Sequence, residues 1–306
     1  MIRGFALALI AGTLCVAGAT CHAQDAGVNP EQPRAKLPPA SAPVSGDVRA
    51  FPAAPAGFAD VRDGAAQGRV VEFAYDSAVT GTRRKASVYL PAGYSAERRY
   101  PVLYLLHGIA GNQDEWRGYV HANTILDNLI ADGKAVPMIV VMPNGRALAD
   151  DRPPPAERTF SPEHVAGFER FERDLLDSLV PAIDRAYPTV AKPGQRAIAG
   201  LSMGGGQAIN FGLGHLDTFG WVGGFSPAPN TRAAAGLLAE TEPARRQLRL
   251  LYLSCGSQDG LIDVARKFHL YLQQHGVAHI WNVDGHGHDR ESWTDNLYHF
   301  AGLIFR

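Results

Sequence analysis

Short apolar runs alternate with helix-like segments along most of the chain, and this alternation constrains the fold most strongly. The runs contain no regular polar position, which is typical of strands buried on both faces of a parallel sheet. Strand-first alternation favours right-handed crossovers. We therefore predict an α/β three-layer sandwich with a mostly parallel central sheet. The predicted strands span 102–106, 138–142, 196–199, 221–225, 248–254 and 279–283, and helical spacing marks 125–130, 168–179 and 264–272.

The region before these runs divides into three parts. A basic start, an apolar stretch and the small residues around Ala23 predict a signal peptide over 1–23, cleaved after Ala23. Residues 24–68 are rich in Pro, Ala and Gly, which indicates a flexible leader. Two strand-like runs at 70–75 and 86–90 predict an antiparallel edge hairpin that opens a domain over 69–306.

Composition and charge exclude some classes of protein. The chain is 46% hydrophobic and 19% charged, with a net charge of −1. It carries no basic block, so nucleic-acid binding has no electrostatic support. We expect a secreted or periplasmic bacterial protein that does not insert into a membrane after signal removal. Only Cys255 remains in the mature chain, and its apolar neighbours predict a buried, inert thiol.

The pentapeptide Gly-Leu-Ser-Met-Gly at 200–204 follows a predicted strand directly. Gly-x-Ser-x-Gly at the end of a strand is the pattern of a nucleophile elbow, a sharp turn that exposes one serine hydroxyl. We therefore expect Ser202 to attack an acyl carbon, in a hydrolase or an acyltransferase. A catalytic base and acid must lie nearby to activate it.

Two later loops offer these partners in the order Ser, Asp, His that α/β-hydrolases use. Asp259 and His288 each follow a separate predicted strand, so all three residues can meet at one sheet edge. Asp259 would hold the histidine tautomer and stabilise the imidazolium. Spacing alone does not choose between His288 and His286, and it leaves Asp263 and Asp284 as alternative acids.

The oxyanion hole requires two backbone N–H groups. Met203, directly after the nucleophile, supplies one of them. The loop that follows the strand at 102–106 supplies the other, from Ile109 or, as the alternative, Gly108. His107 is expected to be structural. The proline-rich loop 146–161 also follows a strand, and we expect it to border the substrate site.

A metal site built from His286, His288 and Asp289 is a further alternative, but it would leave the serine turn unexplained. We expect no metal and no cofactor. The substrate would be a small-molecule or polysaccharide ester, and nothing in the sequence indicates an oligomeric state.

Residues 69–301 resemble carbohydrate esterase family 1, especially its feruloyl esterases, within the esterase D and enterochelin esterase-like α/β-hydrolases. The resemblance implies Ser202, Asp259 and His288 as the triad, since the family's histidine lies between Gly and Asp. One departure is Arg290, where an aromatic residue is often found. The matching stretches are 88–94, 104–111 with Trp116, 198–207, 255–259 and 287–289 with Trp293.

The resemblance also implies a secreted feruloyl esterase that acts on plant xylan. Trp116 and Trp293 are candidates for lining an aromatic or sugar subsite, and Gln207 is a third substrate-binding candidate. Acetylxylan or siderophore ester hydrolysis and a mycolyltransferase-like acyl transfer use the same triad and stay open. The alternative outside enzymes is a sugar-binding module with an inactive site.

Overall fold

The computed structural model describes residues 37–239 and 241–306. The predicted signal peptide, 1–23, and the first part of the predicted leader, 24–36, lie outside the described residues. No helix within 37–239 and 241–306 is long and apolar enough to cross a bilayer.

An eight-stranded sheet forms the centre of the described chain, in the order β1-β2-β4-β3-β5-β6-β7-β8. The first two strands form the expected antiparallel hairpin, β2 also pairs antiparallel with β4, and the remaining pairs are parallel. The predicted mostly parallel α/β sheet is confirmed. The strands are β1 (Arg69–Asp76), β2 (Arg83–Leu90), β3 (Val102–Leu106), β4 (Ile139–Pro143), β5 (Arg196–Leu201), β6 (Trp221–Phe225), β7 (Leu250–Gly256) and β8 (Ile280–Asp284).

Helices cover both faces of this sheet and complete the three layers. Phe171, Ile209 and Phe268 bury one face, whereas Ile125 and Phe300 pack against the other. Phe171 and Phe268 belong to amphipathic helices whose apolar sides meet the strands, whereas Ile209 belongs to a helix that is buried on nearly all sides. The helices are α1 (Glu115–Gly118), α2 (Ala122–Ala131), α3 (Pro162–Asp174), a π-helical turn (Leu175–Leu179), α4 (Val180–Ala186), α5 (Met203–Gly214), α6 (Ala234–Leu237), α7 (Thr241–Gln247), α8 (Ile262–Gln274) and α9 (Arg290–Leu303), with 3-10 turns at Ala156–Arg158 and Pro193–Gln195.

The described part of the predicted leader, residues 37–68, is bound to the domain and is not a free chain, which corrects our expectation of flexibility there. Val48 accepts a backbone hydrogen bond from Val283 of β8, and Phe51 stacks on His299 of α9. Asn128 donates to the carbonyl oxygens of Phe58 and Asp60. Composition missed this because the segment is held by groups that the domain presents to it, through ion pairs, hydrogen bonds to its backbone atoms and ring stacking. We call residues 37–68 the N-terminal strap.

The carboxyl ends of β3, β5, β7 and β8 lie at the same edge of the sheet, with β6 between β5 and β7, because these strands are parallel. The loops that follow them therefore converge on one edge of the sheet, where open α/β sheets bind their ligands. Cys255, at the end of β7, is buried as expected, and burial raises the pKa of its thiol.

Candidate active site

Ser202 forms the turn between β5 and α5 in a strained conformation. Its φ of 53° lies in the left-handed region, which non-glycine residues rarely adopt. The turn needs both flanking glycines: a Cβ at Gly200 would collide with the carbonyl oxygen of Gly204, and one at Gly204 with that of Leu106. The pentapeptide thus folds as a tight elbow that leads into a helix.

A hydrogen-bonded chain runs from this serine to a buried carboxylate. The Ser202 Oγ lies 3.0 Å from Nε2 of His288, and Nδ1 of the same ring lies 2.8 Å from Oδ2 of Asp259. With Nδ1–H donating to the carboxylate, the Nε2 lone pair faces the serine hydroxyl. This is the arrangement in which imidazole accepts a proton from serine.

The surroundings of Asp259 keep it ionised. Burial raises the pKa of this carboxyl, but its hydrogen bond to His288, the imidazolium charge and the Leu261 N–H together hold it below the ordinary value. The Leu261 N–H donates to Oδ1 over 2.8 Å. Both oxygens of the carboxylate are therefore held, one by the ring and one by the backbone.

The two alternative acids lie in other contacts. Asp263 pairs with Arg266 at the surface of α8. Asp284 accepts hydrogen bonds from the backbone N–H of His286 and the hydroxyl of Ser292. Hence Asp259 and His288 are the residues that lie at Ser202. The alternative carboxylate, Asp284, instead holds the loop after β8 through its hydrogen bonds.

The two predicted oxyanion donors, Met203 and Ile109, differ from the alternative, Gly108, in whether the backbone N–H already has a hydrogen-bond acceptor. Met203 is the first residue of α5, so the helix supplies no acceptor for its N–H. The Gly108 N–H donates to Oε2 of Glu115 over 2.7 Å. Within the described chain, the Ile109 N–H has no acceptor. This arrangement leaves Ile109, and not Gly108, as the available donor.

Glu115 was missed by the sequence interpretation. It lies among polar residues in the sequence, yet its carboxylate is buried behind the loop after β3. Burial raises its pKa, and the Gly108 N–H and the charges of Arg146 and His288 only partly offset this. A buried acid in a short helical turn has no periodic signature, so no pattern would have identified it.

His107 and Arg146 join this loop to the loop after β4. Nδ1 of His107 donates to the Gly108 carbonyl over 2.6 Å, and Nε2 accepts the Gly145 N–H over 2.7 Å. Burial, with the charge of Arg146, lowers the pKa of His107 to about 3, so the ring is neutral. Arg146 donates from Nη1 to the Gly111 carbonyl. His107 thus has the surroundings of a structural residue.

The three substrate-binding candidates need correction. Trp116 lies in the core, 1% exposed, with its indole N–H on the Leu106 carbonyl. Gln207 is also 1% exposed and donates to the carbonyl oxygens of Gly145 and Phe168. Trp293 packs edge-on against the His288 ring, 5.1 Å between centroids. These side chains support the site from beneath or from the side, because their large surfaces are covered by the protein itself.

The loop 146–161 and the start of α3 border an open groove of about 940 Å³. His164 lines this groove and lies with Nε2 3.2 Å from the Ile109 carbonyl oxygen. The groove is therefore connected to the oxyanion loop through one residue. Its walls contain Ala147, Asp150, Arg152, Arg158, Glu163 and Arg170.

The metal alternative gains no support in the described residues. In 37–239 and 241–306, no three His, Cys, Asp or Glu side chains are grouped as ligands. Asp289 instead caps α9 by accepting the Ser292 N–H over 3.0 Å.

Known proteins resemble this chain over most of its described length. The profile of the Esterase family, described as putative esterase, matches residues 77–299. An endo-1,4-beta-xylanase/feruloyl esterase of Xylanibacter ruminicola is 31% identical over 246 residues, which cover 78% of this chain and 32% of that protein. The chain thus spans about a third of the length of that curated relative.

Solved structures extend the likeness to three dimensions. A ferulic acid esterase of Anaeromyces mucronatus, solved in complex with ferulic acid, has a TM-score of 0.74 at 26% identity and covers 83% of this chain and 96% of its own. The S-formylglutathione hydrolase of Staphylococcus aureus has a TM-score of 0.61 at 20% identity, covering 78% of this chain and 96% of its own. The second similarity shows a shared fold.

Proposed function

The chain belongs to the Esterase family of putative esterases, and from this premise we propose that it is a serine carboxylic-ester hydrolase with Ser202 as its nucleophile. One observation carries the proposal: Ser202, His288 and Asp259 form a continuous hydrogen-bonded chain at the carboxyl edge of the sheet. A sugar-binding module with an inactive site would have no need of a strained serine aligned with an imidazole.

The reaction proceeds through an acyl-enzyme. Ser202 Oγ bonds to the ester carbonyl carbon while its proton passes to Nε2 of His288. The carbonyl oxygen becomes an oxyanion that accepts hydrogen bonds from the N–H groups of Ile109 and Met203. The carbon–oxygen bond to the alcohol then breaks, and His288 returns the proton to the leaving oxygen.

Water completes the cycle by the same steps. His288 removes a proton from water, the hydroxide attacks the acyl carbon, and the bond to Ser202 breaks as the hydroxyl regains its proton. Asp259 stays ionised throughout and stabilises the imidazolium in both halves. The residues present need no cofactor for this chemistry.

The proposed substrate is a feruloyl ester on plant xylan. The relative from Xylanibacter ruminicola and the structure from Anaeromyces mucronatus support this choice, since the first is named an endo-1,4-beta-xylanase/feruloyl esterase and the second a ferulic acid esterase. Ile109 and Val165 are partly buried and pack against an apolar cluster that contains Met203, the residue after the serine, and their exposed atoms give an aromatic acyl group a surface to contact.

The activity is tested with the Ser202→Ala variant. We expect the wild type to release p-nitrophenol from p-nitrophenyl acetate, and the variant to lose about 10⁶-fold in kcat, as other serine triads do when the nucleophile is removed. Equal rates for wild type and variant would sink the proposal of a serine esterase.

A substrate panel tests the acyl group and the alcohol. The wild type is compared on methyl ferulate, acetylated xylan and a siderophore ester, with Ser202→Ala as the blank. The highest kcat/KM is expected for methyl ferulate. Preference for acetylated xylan or for the siderophore ester would transfer the assignment to that substrate class, and acyl transfer to an added sugar in place of hydrolysis would indicate a transferase.

We also infer export from the cell, on the strength of the sequence pattern over 1–23. The protein recovered from the periplasm or the medium is expected to begin at Gln24. An N-terminus at Met1 or Ile2 in the exported protein would contradict cleavage after Ala23.

A further inference from the structure

The N-terminal strap lies outside the family match, which begins at residue 77, yet it is anchored along the domain. Arg266 of α8 pairs with Asp47 over 2.6 Å, and Arg49 pairs with Asp295 of α9 over 2.9 Å. The Ala50 N–H donates to Asn282 of β8 over 2.8 Å. Contacts with three successive elements hold the strap along one course.

The first described residues of the strap reach the loop that carries the triad acid. The Pro38 carbonyl oxygen lies so close to Gly260 that a Cβ at that position would collide with it. Leu37 approaches the same glycine with its own Cβ. Gly260 directly follows Asp259, so the strap passes against this loop only because position 260 has no side chain.

Leu37 joins an apolar cluster that contains Met203, the residue after the nucleophile. It packs, together with Ile109 and Val165, against a buried group that includes Met203 and Leu261. Met203 follows Ser202, and Ile109 carries the other available oxyanion N–H. The cluster members are Leu37, Ile109, Val165, Phe168, Met203, Ala228 and Leu261, and we call them the apolar wall.

The apolar wall has an exposed side. Leu37, Ile109 and Val165 are only half-buried, while the members beneath them are covered. A half-buried leucine at the head of the strap keeps apolar surface in water unless another apolar group covers it. The bound substrate is the group that the site is built to receive.

We propose that Leu37 is a specificity-determining residue that contacts the acyl group of the ester; this rests on the proposed function. In the tetrahedral intermediate the oxyanion points to the N–H groups of Ile109 and Met203, and the leaving oxygen points to His288. The remainder of the acyl group takes the fourth direction from the attacked carbon, and we place it along the apolar wall, which includes both residues that carry those N–H groups. An aromatic or long apolar acyl group reaches Leu37, whereas an acetyl group is too short.

The test compares Leu37→Ala with wild type in the full chain on p-nitrophenyl acetate and p-nitrophenyl cinnamate. The two substrates share a leaving group, so a difference between them reports on the acyl side alone. We expect kcat/KM for the cinnamate to fall roughly tenfold, the scale of a lost apolar contact in a pocket. The acetate value is expected to stay within about twofold, since only a lost contact with the acyl group is involved.

Two matched variants control for the strap itself. Val44→Ala shortens an apolar side chain that is 47% exposed on the same strap, and it is expected to leave both values unchanged. Leu37→Met keeps the volume of the side chain and is expected to retain most of the cinnamate activity. The thermal unfolding midpoint of each variant shows whether the fold is intact.

The experiment distinguishes a failure of the proposed role of Leu37 from a failure of the proposed esterase activity. Equal losses on both esters, or no loss on either, would overturn the role of Leu37 while leaving the esterase in place. A loss that follows the alcohol in a series of ferulate esters, and not the acyl group, would overturn the acyl assignment. If wild type shows no Ser202-dependent hydrolysis of either ester, this inference falls together with the proposed function.

Discussion

Two buried carboxylates lie in the loops that form the proposed active site, and their pKa values are shifted in opposite directions. Asp259, in the loop after β7, faces an imidazole and a backbone N–H, and its pKa lies below the ordinary value despite burial. Glu115, in α1 after β3, faces a backbone N–H at 2.7 Å, and burial wins, so its pKa is raised.

This difference shows what decides the charge of a buried acid. Desolvation acts on both groups in the same direction. Only Asp259 has a titratable ring in direct contact, with the imidazole nitrogen 2.8 Å from its oxygen. Arg146 and His288 act on the pKa of Glu115 through their charges only, which leaves burial as the larger effect. A charged acid suits the triad, whereas a backbone anchor requires only an acceptor.

The largest expected effect comes from Asp259→Asn. The asparagine amide no longer fixes the His288 tautomer, so kcat on p-nitrophenyl acetate should fall about 10⁴-fold. KM should change little, since the carboxylate does not touch the ester. Circular dichroism of the variant checks that the fold is retained. A fall of less than tenfold would mean that another group acts as the acid.

A smaller loss is expected from Glu115→Ala. Without its acceptor, the Gly108 N–H is left unpaired and the oxyanion loop is free to shift Ile109. The loss of one oxyanion donor is worth roughly 10²–10³-fold in kcat. Glu115→Gln keeps an oxygen acceptor in place and serves as the matched control.

The pair of Glu115 variants separates an anchor from a charge. If the residue anchors the loop, glutamine retains most of the kcat while alanine does not. If its charge were needed, both substitutions would reduce kcat equally. Normal kcat in the alanine variant would contradict any role in holding the loop.

The position of Asp259 could be predicted from the sequence, whereas that of Glu115 could not. Asp259 follows its own strand, and strand order brings it to the serine, so the residue pattern predicted its place. Glu115 was missed, because its burial results from the path of the loop after β3 and not from any periodicity. Trp116 and Gln207 failed as substrate contacts for the same reason. Each lies in a matching motif, but a motif does not tell which side chain faces solvent.

The N-terminal strap is a whole segment whose attachment to the domain was not predicted from its composition. The Pro, Ala and Gly content over 24–68 predicted flexibility, whereas 37–68 are held by groups of the domain such as Arg266 and Asn282. Composition describes what a segment can bury on its own. Composition does not indicate which hydrogen-bond donors and acceptors the rest of the chain offers to that segment.

The smallest expected effect is that the free energies of unfolding of the Asp259 and Glu115 variants depend on pH in different ways. The lowered folded pKa of Asp259 means that its stabilisation is present above the ordinary carboxyl value, about 4, and is lost as pH falls through the folded value. The raised folded pKa of Glu115 means the reverse. Its destabilisation is absent below about pH 4 and grows as pH rises through the folded value.

Urea unfolding of Asp259→Asn and Glu115→Gln from about pH 2 to pH 8, a range that extends below the ordinary carboxyl pKa, therefore compares the two acids directly. At pH 7, Asp259→Asn should be less stable than wild type by roughly 1–3 kcal/mol, the scale of a lost hydrogen bond to a charged group. Its deficit should shrink toward low pH. Glu115→Gln should gain on wild type as pH rises, because the amide avoids the cost of a buried charge. Parallel curves for the two variants would mean that both carboxylates carry the same charge in the folded protein, and the contrast between them would then fail.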